Sequence, residues 1–103
     1  PLPDDVAAAD TALRSDATAL LRALEPPVEP AAVPAIDGML DVVEQRYQAL
    51  KAALLAAGAD GRMGMAAMDT RLREASHLRR ALQQAVKAAR LDADIAADVR
   101  ATA

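Results

Sequence analysis

The sequence predicts an all-α protein, an antiparallel, coiled-coil-like helical hairpin that an additional N-terminal helix completes as a three-helix bundle. Three observations predict it. Apolar residues recur at intervals of three and four along most of the chain. Two short segments rich in proline or glycine, Pro26 to Pro30 and Gly58 to Gly64, cut it into three stretches. Alanine, the strongest helix former, supplies 28 of the 103 residues. The length suits a single helical domain over residues 1–103, and 53% hydrophobic content with 26% charge is that of a folded chain rather than a disordered one.

The first helix is predicted over about residues 4–24. Asp4 and Asp5 complement the positive end of a helix dipole, and Val6, Ala9, Leu13, Ala17, Leu20 and Leu24 fall on one face. Prolines at 26, 27 and 30 then forbid continuation, because proline lacks the amide and restricts the residue before it, so residues 26–30 make a stiff turn. The second helix is predicted over about 33–57. Val33, Ile36, Leu40, Val43, Tyr47, Leu50, Leu54 and Ala57 alternate spacings of three and four, the seam of a coiled coil, with Gly38 a weak point in its first turns. Glycines at 58, 61 and 64 mark a turn over 58–64. The third helix is predicted over about 63–101, carrying the seam through Met65, Met68, Leu72, Ala75, Leu82, Val86 and Ala89, with Arg79 at a core position. Beyond Ala89 the apolar stripe is expected to change side, to Leu91, Ile95 and Val99.

Charge is divided between segments: residues 1–30 hold six acidic and two basic groups, residues 62–90 seven basic and two acidic. This favours docking of the first helix along the third, and the proline turn should set the first helix down over part of the Leu91, Ile95, Val99 patch.

Composition also excludes function classes. Without cysteine there is no disulfide, thiolate or zinc-finger chemistry. No apolar run reaches the roughly 18 residues of a membrane helix, which speaks for this stretch and not for a parent protein. The opening PLPDD has neither an initiator Met nor a signal-peptide pattern, and the heavy use of Ala, Arg, Asp and Val suits a high-GC bacterium. The chain is therefore expected to be a piece of a larger bacterial envelope, secretion, transport or signalling protein, in a cytoplasmic or envelope-associated setting. A basic stripe, Arg73, Arg80 and Lys87, repeats every seven residues. Net charge of −3, a single aromatic residue and the lack of a helix-turn-helix pattern argue against nucleic acid as its partner.

Three constellations could carry chemistry. Met63, Met65 and Met68 have the spacing of a soft-metal site, but without Cys or a nearby His they fit gap filling beside a turn. Glu74-x-x-His77 resembles the ExxH motif of ferritin-like di-iron bundles, which would imply a metal-binding oligomer of hairpins using Glu44, Glu74 and His77. The segment ASHLRRAL, residues 75–82, resembles the histidine box of sensor kinases and, more loosely, that of phosphotransfer domains. Leu78 stands where the kinase motif has an acidic residue, and Ala81 where the phosphotransfer motif has glycine. The expectation that best fits the whole pattern is a non-enzymatic interaction or assembly domain without cofactor or metal. It would meet a protein partner or its own copies through helix faces, at Leu91, Ile95 and Val99.

Overall fold

In the computed structural model, which describes residues 2–103, the chain forms α1 (Asp4–Ala23), α2 (Val33–Ala59) and α3 (Met65–Thr102), with a short 3-10 turn at Pro30–Ala32. The fold is all-α: a hairpin of α2 and α3 with α1 packed against it. Its borders follow from local chemistry. Asp5 in the first turn of α1 accepts a hydrogen bond from the Val6 amide at 3.0 Å, and the helix stops just before the prolines, where the Pro26-Pro27 peptide is cis. At the end of α2 the amides of Gly61 and Arg62 donate to the carbonyls of Gly58 (3.2 Å) and Ala57 (2.9 Å), a Schellman cap. Gly61 closes it at φ 72°, a conformation in which a Cβ would crowd the backbone. Gly38, by contrast, sits in open space inside an unbroken α2.

The second helix is the floor on which the other elements pack. Ile36, Val43, Tyr47, Leu50, Leu54 and Ala57 are buried along it, while Val33 and Leu40 of the same seam are half-buried. On one side α1 lays Val6, Leu13, Ala17 and Leu20 onto it; on the other α3 brings Met68, Ala75, Leu82, Val86, Ala89 and Ala93. Ion pairs mark the register. Asp5 meets Arg62 of the turn and Asp16 meets Arg46, each at 2.8 Å, so α1 runs antiparallel to α2 from the turn end of the hairpin. Glu44 meets Arg79 and Asp37 meets Arg90, so α2 and α3 are antiparallel too. Past the end of α1 the proline segment straps the open end of the hairpin, and Glu29 reaches Arg100 at 2.7 Å. The result is a rod of 62 × 18 × 16 Å.

Four expectations are corrected here. First, α1 docks on α2 rather than along α3, and its interhelical ion pairs go to Arg46 and Arg62, not to the basic residues of α3. Burial of its apolar face decides the docking, because solvent-exposed ion pairs are worth at most about 1 kcal/mol each. Second, the α3 seam does not change side after Ala89. It continues through Ala93, 1% exposed, and Leu91, Ile95 and Val99 belong to a separate outer face. Third, α1 does not cover that outer face, where the three side chains remain 61%, 57% and 62% exposed. Fourth, α3 begins at Met65 rather than Met63, and Met65 is exposed, leaving Met68 as the buried methionine of the seam.

Two substitutions check this packing. Leu50→Asp buries a carboxylate between α1, α2 and α3 and is expected to abolish cooperative thermal unfolding, at a loss of several kcal/mol. Ala93→Leu is expected to cost about 1–3 kcal/mol by overpacking a position that is 1% exposed, whereas an unchanged melting temperature would put Ala93 outside the seam.

Candidate functional site

The sequence-level candidates separate cleanly in space. Glu44, on α2, is held by Arg79: Nε and one terminal nitrogen of the guanidinium donate to its two carboxylate oxygens, both at 2.6 Å. The Gln48 side-chain amide adds a third hydrogen bond at 3.2 Å. These bonds, that of Arg79 foremost, hold the Glu44 carboxyl below its ordinary pKa, and raise that of Arg79 in return. The same guanidinium lies over the Tyr47 ring, 4.7 Å from its centroid. Arg79 therefore occupies its core position as the polar member of an otherwise apolar seam, with its charge met by Glu44 and its plane by Tyr47.

Glu74 and His77 lie elsewhere, exposed on α3. The Glu74 carboxylate is 3.9 Å from Arg71, beside a crevice of about 310 Å³ between α1 and α3 whose floor is Val6, Leu13, Leu54 and Ala75. The chain does not gather Glu44, Glu74 and His77, and among the described residues no group of three His, Asp or Glu side chains is placed to hold a metal ion. His77 stands on the solvent face of α3 with no hydrogen-bonded partner among the described residues. Of the methionines at the turn, Met63 is half-buried, Met65 exposed and Met68 buried, so they do not converge as a ligand set. No helix among the described residues is long and apolar enough to cross a membrane.

What remains is the outer face of α3, the side turned away from α2. A helix advances about 100° per residue, so His77, Gln84, Ala88, Leu91, Ile95 and Val99 lie within about 40° of one line along it. All are exposed. Leu91, Ile95 and Val99, spaced by four, form a continuous apolar ridge, whereas the other exposed large apolar side chains, Leu21, Val42, Leu55 and Met65, form no such ridge along a helix. The basic stripe expected from the sequence is present too, with Arg73, Arg80 and Lys87 exposed on this face. Arg73 is paired with Asp69 four residues earlier.

Sequence reasoning missed how this face is polarised. Arg80 and Lys87 precede the apolar ridge; Asp92, Asp94 and Asp98 flank it. Among the described residues none of these five forms an ion pair, although nine other pairs tie down charges over the rest of the surface. Counting charge by segment mixed Arg71, Arg79 and Arg90, which face the interior or a partner helix, with the outer residues. Sorting charges by helical angle would have separated them.

The Glu44–Arg79 pair makes a pH-dependent prediction. A carboxyl whose pKa is lowered by folding adds stability above its unfolded pKa, and loses that contribution as the pH falls through the folded value. Glu44→Gln is expected to destabilise the fold by roughly 0.5–1 kcal/mol at pH 7. In denaturant titrations the gap between variant and wild type should close from about pH 4.5 downward. A gap that stayed constant to pH 2 would show that side-chain packing, not charge, is responsible.

Comparison with protein-family models, with curated proteins and with solved structures gives no match to this chain.

Proposed function

We propose that this chain is a non-enzymatic helical interaction domain that binds another helix through the outer face of α3, with Leu91, Ile95 and Val99 as the apolar contact. The observation that carries the reading is the exposure of these three side chains, each more than half open to solvent, in one ridge on a helix whose opposite side is closely packed. Apolar ridges at this spacing are the surface by which one amphipathic helix recognises another. Of the groups that could have supported chemistry, Glu44 is engaged by Arg79, and His77 is exposed and not gathered with Glu44 or Glu74.

The reading is tested by placing a photo-crosslinking side chain at position 95, with exposed Gln83, off the ridge, as the control position. Adducts are expected at 95 and not at 83. Ile95→Arg, introduced beside a crosslinker at position 91, should abolish those adducts. Because Ile95 is 57% exposed, the same variant should shift folding stability by no more than about 0.5 kcal/mol at low protein concentration. Equal adducts at both positions, or an Ile95→Arg chain that unfolds, would overturn the assignment of this ridge as a binding face.

A further inference from the structure

We propose that the partner of this face is a second copy of the same chain, docked antiparallel along α3 with a two-fold axis beside residue 90. The inference rests on the interaction reading above and names its occupant.

The outer face of α3 is complementary to itself. Taking Ile95 as the centre of the face, Arg80, Lys87, Asp94 and Asp98 all fall on the same flank, about 60–100° to one side. In two antiparallel helices related by a two-fold axis, each flank faces its own counterpart run in reverse. An axis beside residue 90 brings Arg80 of one copy level with Asp98 of the other, and Lys87 level with Asp94, each within about 3 Å along the helix. Symmetry repeats both pairs, so the four unpaired charges of this flank are all matched.

The same register matches side-chain size. Ala81 comes level with Val99, Ala88 with Leu91 and Gln84 with Ile95, so large residues of one copy meet alanine or the flexible stem of glutamine on the other. Small residues on the packed side are also how α3 is built inside the monomer, where Ala75, Ala89 and Ala93 are buried.

Other alignments fail on charge. A parallel pair sets each flank against the opposite flank of the other copy, which brings Lys87 toward Asp92 but leaves Arg80, Asp94 and Asp98 unmatched. An antiparallel pair centred on Ile95 would bury more of the ridge but places Asp94 level with Asp98, where like charges repel. The overlap in the favoured register is about 25 residues, or roughly 37 Å of helix, and α1 and the proline strap lie on other sides of α3.

The full chain is expected to show a concentration-dependent monomer to dimer transition in sedimentation, weakened by added salt. Arg80→Glu with Lys87→Glu should weaken association about tenfold or more, and Asp94→Lys with Asp98→Lys should do the same. All four substitutions in one chain should restore it. Since the sequence has no cysteine, orientation is read directly. Ala81→Cys mixed with Val99→Cys should give an oxidative cross-link that neither variant forms alone. Cross-linking of either variant with itself, failure of the fourfold swap to restore association, or a chain that stays monomeric at its highest attainable concentration would overturn the proposal. If the chain is monomeric while a crosslinker at position 95 captures a different protein, this inference fails and the interaction reading stands. Neither dimer nor adduct removes both.

Discussion

The structure depends on one asymmetric seam: the large side chains of α2 serve as a common floor for two helices that bring smaller ones. Ile36, Val43, Tyr47, Leu50 and Leu54 lie buried along α2, whereas half of the buried positions of α3 are alanine. In a chain with no Phe or Trp, a large residue on both sides of every contact is not available, and close approach to a helix of small residues is the alternative way to remove apolar surface from water. Neither α1 nor α3 has another surface able to bury its apolar face. α2 is therefore the element on which both of the others depend for burial.

Within that seam the single polar interruption fixes alignment. A coiled-coil repeat slides by one heptad with little change in apolar contact, so a polar residue at a core position, satisfied in only one register, discriminates among alternatives. Arg79 does this here through the Tyr47 ring together with Glu44: a slide of one heptad would still offer it a carboxylate, Asp37, but would set Leu40 in place of the ring. Asp37 with Arg90, and Glu29 with Arg100, repeat the same alignment toward the open end. Each such pair is weak in water, and their joint effect is on register more than on stability.

The shape that follows bears on function. A rod 62 Å long and under 20 Å wide has a radius of gyration of 17.0 Å, against roughly 13 Å for a compact domain of this size. Such a molecule offers long helical sides rather than a deep cleft, and the crevice between α1 and α3 is floored by the core itself. α3 is the longest helix and contributes the most continuous free side, whose unpaired charges are basic ahead of residue 88 and acidic after it. A face polarised in this way suits contact along its length with another helix.

The number of helices, their limits to within two residues, the two turns and the α2 seam were all legible in the sequence. Proline and glycine act on the backbone locally, and a spacing of three and four is a property of one helix by itself. What only the tertiary structure decided was which helices become neighbours. The charge contrast between the first and third stretches pointed to the wrong pairing, because exposed charges contribute less than the apolar face that α1 buries on α2. The continuation of the seam through Ala93 was hidden for a related reason. Alanine is equally at home buried or exposed, so beside Leu91, Ile95 and Val99 it carries almost no pattern, although it is Ala93 that lies in the core and the three larger residues that face the solvent. Met65 and Met68 differ in the same way: both fit the seam in spacing, but Met65, the first residue of α3, stays 65% exposed beside the turn while Met68 is buried against Gly58 at the end of α2. Periodicity is encoded residue by residue, whereas the identity of the neighbour is a property of the assembled chain.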